Sequence, residues 1–230
     1  MGMHEFSFGS GHRRLVGRIF DPSGASTDLR AVLFVHGQGS SQTGYRSRAR
    51  LASRNLDAVC MTFDLSGHGH DAANFARYSG YDHLQDVVAA YDRLASHAAV
   101  DRTRIGVCGA SYGGYLAALL TGHRAVKRLI LRAPSLHQDV DFPSRKPRAS
   151  PCDKAPEGFD SLEVVSHYVG EVLILESEKD DVVPASHIAA YLRACSRAKH
   201  QVIPGATHAL TDPIWDKVFI GAIVNWFGAL

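Results

Sequence analysis

From about residue 30 onward, short apolar runs alternate with stretches of helical periodicity. The runs are "AVLFV" (31–35), "AVCMTF" (58–63), "RIGVC" (104–108), "VKRLILRA" (126–133), "VLILE" (172–176) and "HQVIP" (200–204). Continuous apolar runs of this length predict strands covered on both faces, as in a parallel sheet. Between them, Leu84, Val87, Val88, Tyr91 and Leu94 share one face of a helix. So do Ile214, Val218, Ile223 and Trp226, behind an Asp212 cap and Pro213 in the first turn. Strand–helix alternation predicts βαβ units in an α/β, doubly wound, mostly parallel sheet. Before it, "HEFSF" and "HRRLVGRIF" alternate apolar and polar positions and predict an antiparallel hairpin at one sheet edge. No internal repeat is visible.

One segment breaks the alternation. Between Pro134 and Pro156 lie five of the nine prolines, with many charges and little periodicity. Long irregular connections in compact domains are usually lids or binding loops. The segment 137–159 is therefore expected to be a short lid insert, lying over the carboxyl ends of the strands and forming one wall of a pocket. The bland reading is a surface loop. A helical stretch near Leu162–Tyr168 then returns the chain to the sheet.

Composition narrows the class without naming a function. A length of 230 residues suits one domain, 1–230, with a large core, and 45% hydrophobic residues mark an ordinary globular chain. Net charge is +2, from 25 basic and 23 acidic residues, which gives no reason to expect nucleic acid or an anionic membrane as partner. The densest basic cluster, "SRKPR" (144–148), reads as a solvated loop. No apolar run reaches the roughly 20 residues of a membrane span, and "MGMHEFSFGSG" lacks the pattern of a signal peptide. The four cysteines, Cys60, Cys108, Cys152 and Cys195, form no CxxC pair. Reduced thiols in a cytoplasmic protein are the expectation.

The chemistry centres on "GASYG", Gly109–Gly113. It follows a predicted strand and opens a predicted helix, the context of a G-x-S-x-G nucleophile elbow. The serine of such an elbow holds a strained backbone, and the positions two before and two after it crowd together, so both must be small. A serine hydroxyl needs a base, and the base an orienting carboxylate. Among 13 histidines, His208 in "PGATHAL" is placed between the last strand and the last helix, at the strand ends where open sheets bind ligands. The acid is Asp180 or Asp181 in "ESEKDDVVP", at the carboxyl end of the preceding strand. His68 and His70 in "SGHGHD" have no carboxylate or cysteine pattern to complete a metal site, so no metal and no cofactor is expected. The remaining histidines read as solvated.

Taken together, these segments resemble a small serine α/β-hydrolase over nearly the whole chain, with a closer likeness to small esterases of the feruloyl-esterase type. "HGQG" (36–39) resembles the family's oxyanion motif, "DLSGHG" (64–69) its D-x-x-G-H-G loop, "GASYGG" its elbow, "DDVVP" its D-x-x-V-P acid loop and "GATHAL" its histidine loop. The resemblance implies an α/β-hydrolase fold with Ser111 as nucleophile, His208 as base and Asp180 as acid. It implies the backbone N–H groups of Gln38 and Tyr112 as the oxyanion hole. His36 then supports the oxyanion loop, and Asp64 and His68 brace their turn. The expected activity is cleavage of a small-molecule carboxylic ester through an acyl-enzyme. Thioester, lactone, amide or peptide cleavage are the variants within the class, and a non-catalytic binding or regulatory protein on the same fold is the alternative outside it. The oligomeric state is not legible.

Overall fold

The computed structural model describes residues 2–22, 27–137 and 160–230. Eight strands form one sheet in the order β1-β2-β4-β3-β5-β6-β7-β8. They are β1 (Gly2–Ser10), β2 (Arg13–Asp21), β3 (Leu29–Val35), β4 (Val59–Phe63), β5 (Val100–Ala110), β6 (Arg128–Arg132), β7 (Glu171–Ser177) and β8 (Ala198–Ile203). The β1–β2 and β2–β4 pairings are antiparallel, and all others are parallel. The helices are α1 (Arg46–Leu56), α2 (Gly80–Ala95), α3 (Tyr112–Leu120), α4 (Ser161–Ser166), α5 (Ala185–Ala194) and α6 (Pro213–Phe227), with 3₁₀ segments at Gln42–Tyr45 and Gly69–Arg77. This is the α/β-hydrolase fold, with the expected antiparallel edge. Of the insert placed at 137–159, all but His137 lies outside the described residues, as do "SRKPR" and Cys152.

The apolar runs are continuous because alternate side chains feed two cores. Ala31, Leu33 and Val35 of β3 join the core beneath α2, α3, α4 and α5, whereas Val32 and Phe34 join the one beneath α1 and α6. β6 and β7 divide the same way, with Leu129, Leu131, Val172 and Ile174 on one side and Ile130, Leu173 and Leu175 on the other. Each fully buried aliphatic side chain contributes roughly 2 kcal/mol by removal from water. α3 has no polar face, since all nine of its residues are buried.

The helix ends follow from local sequence. Ser79 Oγ accepts the Asp82 N–H while the Asp82 carboxylate accepts the Ser79 N–H, a reciprocal capping box that starts α2. Asp212 caps α6 through the Ile214 N–H at 2.7 Å, with Pro213 as its first residue. Pro184 stands just before α5 as its cap residue. Cys60, Cys108 and Cys195 are buried and free.

Three hydrogen bonds fix the roots of the connection from β6 to α4. The hydroxyl of fully buried Tyr191, on α5, donates to the Ser135 carbonyl at 3.2 Å and pairs with Ser161 Oγ at 2.8 Å. Leu136 N–H donates to His187 Nδ1 at 3.2 Å.

The packing of α6 on the sheet gives a paired prediction. A Cβ on Gly106 would lie 2.4 Å from Cε1 of Phe227, whereas one on Gly221, within α6, would meet nothing within 4 Å. Gly106→Ala is expected to lower stability by about 1–3 kcal/mol through overpacking. Gly221→Ala should raise it by roughly 0.5–1 kcal/mol through the unfolded-state entropy of a helical glycine. Urea denaturation of the two variants checks both signs.

Candidate active site

Ser111 lies between β5 and α3 with φ 54° and ψ −122°, a left-handed backbone that costs a non-glycine residue on the order of 1–3 kcal/mol. The flanking glycines show what the turn requires. A Cβ on Gly109 would lie 2.2 Å from the Gly113 carbonyl oxygen, and one on Gly113 would lie 2.3 and 2.4 Å from the carbonyl oxygens of Val35 and His36. The expected crowding of the two glycines is therefore half the answer, because Gly113 is small to let α3 cross the end of β3. Ala133 (φ 41°) and Leu210 (φ 48°) are two further strained residues, one at the end of β6 and one two positions after His208.

The turn after β3 presses against the serine. A Cβ on Gly37 would lie 3.3 Å from Ser111 Cβ and from the Ala110 carbonyl oxygen. The Gly37 carbonyl accepts the Ser40 N–H at 3.2 Å and His36 Nδ1–H at 2.8 Å. With that carbonyl held twice, the N–H of Gln38 points to the opposite side of the same trans peptide plane. Tyr112 is the first residue of α3, at the positive end of its dipole.

His208 and Asp180 meet across two loops. Nδ1 of His208 lies 2.9 and 3.0 Å from the two carboxylate oxygens of Asp180. The Asp180 side chain is 8% exposed, and Oδ1 also accepts the N–H groups of Val182 and Val183 at 2.9 and 2.8 Å. Burial pushes this carboxyl's pKa up, but the Val183 N–H, the His208 ring and the Val182 N–H outweigh it and hold the pKa below the usual range. Asp181 is exposed and reaches His208 only at its backbone N–H, at 3.5 Å. The loops are also joined by Lys179 N–H donating to the Ala206 carbonyl at 2.8 Å. Among the described residues, Ser111 Oγ and His208 form no hydrogen bond with each other, and they are linked through Arg132. The Arg132 carbonyl accepts the Ser111 N–H at 2.9 Å, and its guanidinium donates to the His208 carbonyl. The sequence reading missed this residue, which looks like the charged end of an apolar strand.

Behind the serine lies a group of buried imidazoles. His36 and His83 are 0% exposed, and His68 is 2% exposed. His36 Nε2 accepts the Leu65 N–H at 3.1 Å. The Ser66 carbonyl accepts both His68 Nδ1–H and His83 Nε2–H at 3.0 Å, and Tyr112 donates its hydroxyl to His83 Nδ1 at 2.9 Å. The Ser66 N–H in turn donates to Asp86, which pairs with Arg13. Asp64 braces the same loop by accepting the backbone and side-chain N–H groups of Gln42 at 2.8 and 2.9 Å. His83 corrects the expectation that the leftover histidines are solvated. It is on the buried face of α2 with Val87, Ala90 and Leu94, a helical spacing that marks it as inward-facing. No group of three or more metal-ligating side chains occurs among the described residues. A cavity of about 740 Å³ opens beside this loop, lined by Arg13, Leu15, Ser66, His68, Tyr78 and Asp82 among others. Neither Ser111 nor His208 lines it.

The imidazoles predict an acid-labile core. Burial, aided by the neighbouring rings, holds the pKa of His36 and His83 down to about 4, and burial lowers that of His68. Unfolded histidines titrate near 6.5, so as pH falls from there the unfolded chain takes up protons first. Stability is then complete above about pH 6.5 and is lost as pH falls toward 4. Between pH 7 and 5 the loss is expected to be roughly 2–4 kcal/mol in total. Urea midpoints at the two pH values test this, and a flat profile would show that the rings are solvated.

Comparison with known proteins places the chain. The model of the prolyl oligopeptidase family matches residues 44–229. "Uncharacterized protein Rv2307c" of Mycobacterium tuberculosis is 29% identical over 198 residues, covering 84% of this chain and 68% of the relative. A putative dipeptidyl aminopeptidase IV from Bacteroides ovatus superposes with a TM-score of 0.76 at 19% identity, covering 99% of this chain and 36% of that one. This chain thus spans about a third of that structure's length. Est1E from Butyrivibrio proteoclasticus, solved with ferulic acid bound, superposes with a TM-score of 0.74 at 19% identity and 96% coverage of both chains. With the elbow, the sheet order and this match in hand, the chain belongs to the prolyl oligopeptidase family, within the serine α/β-hydrolase superfamily.

Proposed function

We propose that the protein hydrolyses a small carboxylic ester through an acyl-enzyme, with Ser111, His208 and Asp180 as its triad. The observation that carries this is the pairing of His208 Nδ1 with both oxygens of a shielded Asp180, on loops at the same sheet end as a serine held in strained elbow geometry. Ser111 Oγ attacks the carbonyl carbon while His208 Nε2 takes its proton, and Asp180 steadies the resulting imidazolium. The backbone N–H groups of Gln38 and Tyr112 receive the charge that develops on the carbonyl oxygen. Collapse of the tetrahedral intermediate expels the alcohol, which takes the proton back from His208. Water, activated by the same imidazole, then releases the acid.

End-to-end likeness to Est1E, whose structure holds ferulic acid, supports an ester. The family match and the Bacteroides structure support a second arm, hydrolysis of a peptide or aminoacyl amide. A panel of acyl and aryl esters beside aminoacyl anilides separates the arms, and a fluorophosphonate probe on folded protein separates both from a non-catalytic binder. No labelling of Ser111 would favour the binder.

Two substitutions test the roles. Ser111→Ala should lower kcat by on the order of 10⁴–10⁶ with the fold intact, and retention of a tenth of the rate would exclude Ser111 as nucleophile. Asp180→Asn should cost on the order of 10³–10⁴ in kcat by spoiling the tautomer and orientation of His208. Asp181→Asn should cost less than about tenfold, because its contact is to a backbone N–H only. Steady-state kinetics showing the opposite ranking would assign the acid to Asp181.

A further inference from the structure

Arg132 ends β6 and is 5% exposed. Its hydrogen bonds among the described residues all run to neutral oxygens. Nη2 donates to Ser177 Oγ at 3.3 Å, to the Thr207 carbonyl at 3.4 Å and to the His208 carbonyl in a short contact. Nε is buried without a partner among the described residues. A buried cation without a directly bonded carboxylate is costly, and a leucine would pack this strand end at less expense. Burial lowers the pKa of this guanidinium, opposed by Tyr45 and by Asp180. The placement is the informative part. Side-chain alternation along β6 sends Ile130 to the core beneath α1 and α6, and Arg132 follows it to the same side, under the histidine loop. Its own carbonyl, meanwhile, accepts the Ser111 N–H. One residue therefore grips the backbone of the elbow with its main chain and the backbone of the histidine loop with its side chain.

We infer that Arg132 is a positioning residue, which sets the height of His208 above Ser111 by holding the His208 carbonyl. This rests on the serine-hydrolase proposal above. The Nδ1–H of His208, shared between both oxygens of Asp180, fixes the ring at one atom, but a ring held at one atom still pivots about its own backbone. The guanidinium supplies the second fixed point. All three acceptors lie on one terminal nitrogen, which the rigid guanidinium plane holds in place, whereas a lysine ammonium rides on a flexible stem. Misplacement of a catalytic group by about 1 Å can cost a hundredfold in rate, so a modest sag of the loop would be felt in turnover before it was felt in binding.

The test pairs Arg132→Met with Arg132→Lys. In the Met variant, kcat per folded molecule should fall about tenfold to a hundredfold with KM within twofold of the parent. Lys should restore part of the loss and remain about threefold to tenfold below the parent. A second readout needs no turnover: the low-field proton resonance of His208 Nδ1–H, bonded to Asp180, should shift or broaden in both variants. Unchanged kcat in the folded Met variant would overturn the inference. If that variant fails to fold, parent-like kcat and an unmoved resonance in the Lys variant would overturn it equally. If the parent protein neither labels with fluorophosphonate nor hydrolyses any substrate, the serine-hydrolase proposal fails by itself. The resonance then still decides whether Arg132 sets the position of His208.

Discussion

Where α3 leaves β5, three backbone segments approach so closely that no side chain fits between them. The carbonyl of Gly113 occupies the space a Cβ would need at Gly109, and the carbonyls of Val35 and His36 occupy the space it would need at Gly113. The rest of the site depends on that crossing. It forces Ser111 into a left-handed backbone, points the first turn of an apolar helix at the strand ends, and brings Gly37 against the serine. The strain persists because the surroundings over-determine it. The Ser111 carbonyl alone accepts the N–H groups of Gly114, Tyr115 and Ser135.

Two kinds of polar support surround the crossing, and they differ in charge. Behind the serine, His36, His68 and His83 are buried, and the paired hydrogen bonds of His36 and His83 fix one neutral tautomer for each. At the other side, Asp180 and Arg132 are shielded but ionic, held by N–H donors and by carbonyls in turn. Hydrogen-bonded rings hold the turns after β3 and β4, with Asp64 as the carboxylate beside them. The charged groups stand on and beneath the histidine loop, where burial strengthens their electrostatic effect.

Much of this was legible in the chain. The six apolar runs became β3 to β8. Burial on both faces accounts for β3 to β7, whereas β8 is an edge strand with Lys199, His200 and Val202 exposed. The tight turn at Ser111 was legible because a glycine fence has few other physical causes, and the register that picks Asp180 over Asp181 agrees with the residue bonded to His208 Nδ1. His83 was not read, although its helical spacing from Val87 carried the signal, because a histidine is taken for a surface residue unless its partner is known. That partner, the Ser66 carbonyl, is 17 positions away. Arg132 was hidden for a similar reason, since its contacts lie 45 to 76 positions downstream and depend on how β6, β7 and the loop after β8 align. The 3₁₀ turns of Gly69–Arg77 carry no apolar stripe to announce them, and none of their residues is buried.

Tyr191 joins both feet of the connection between β6 and α4 through one hydroxyl, with Ser135 on one side and Ser161 on the other. The gap that connection must bridge is thus set by the core and not by the connection itself. Closing a longer loop over a fixed gap adds entropy cost only logarithmically, about 0.6 kcal/mol per doubling of length. Insertions and deletions between those feet can therefore accumulate over evolutionary time without disturbing Ser111 or the sheet. The fold carries a built-in allotment of chain that selection can rewrite, so relatives sharing this core can diverge first in the length and sequence of that connection.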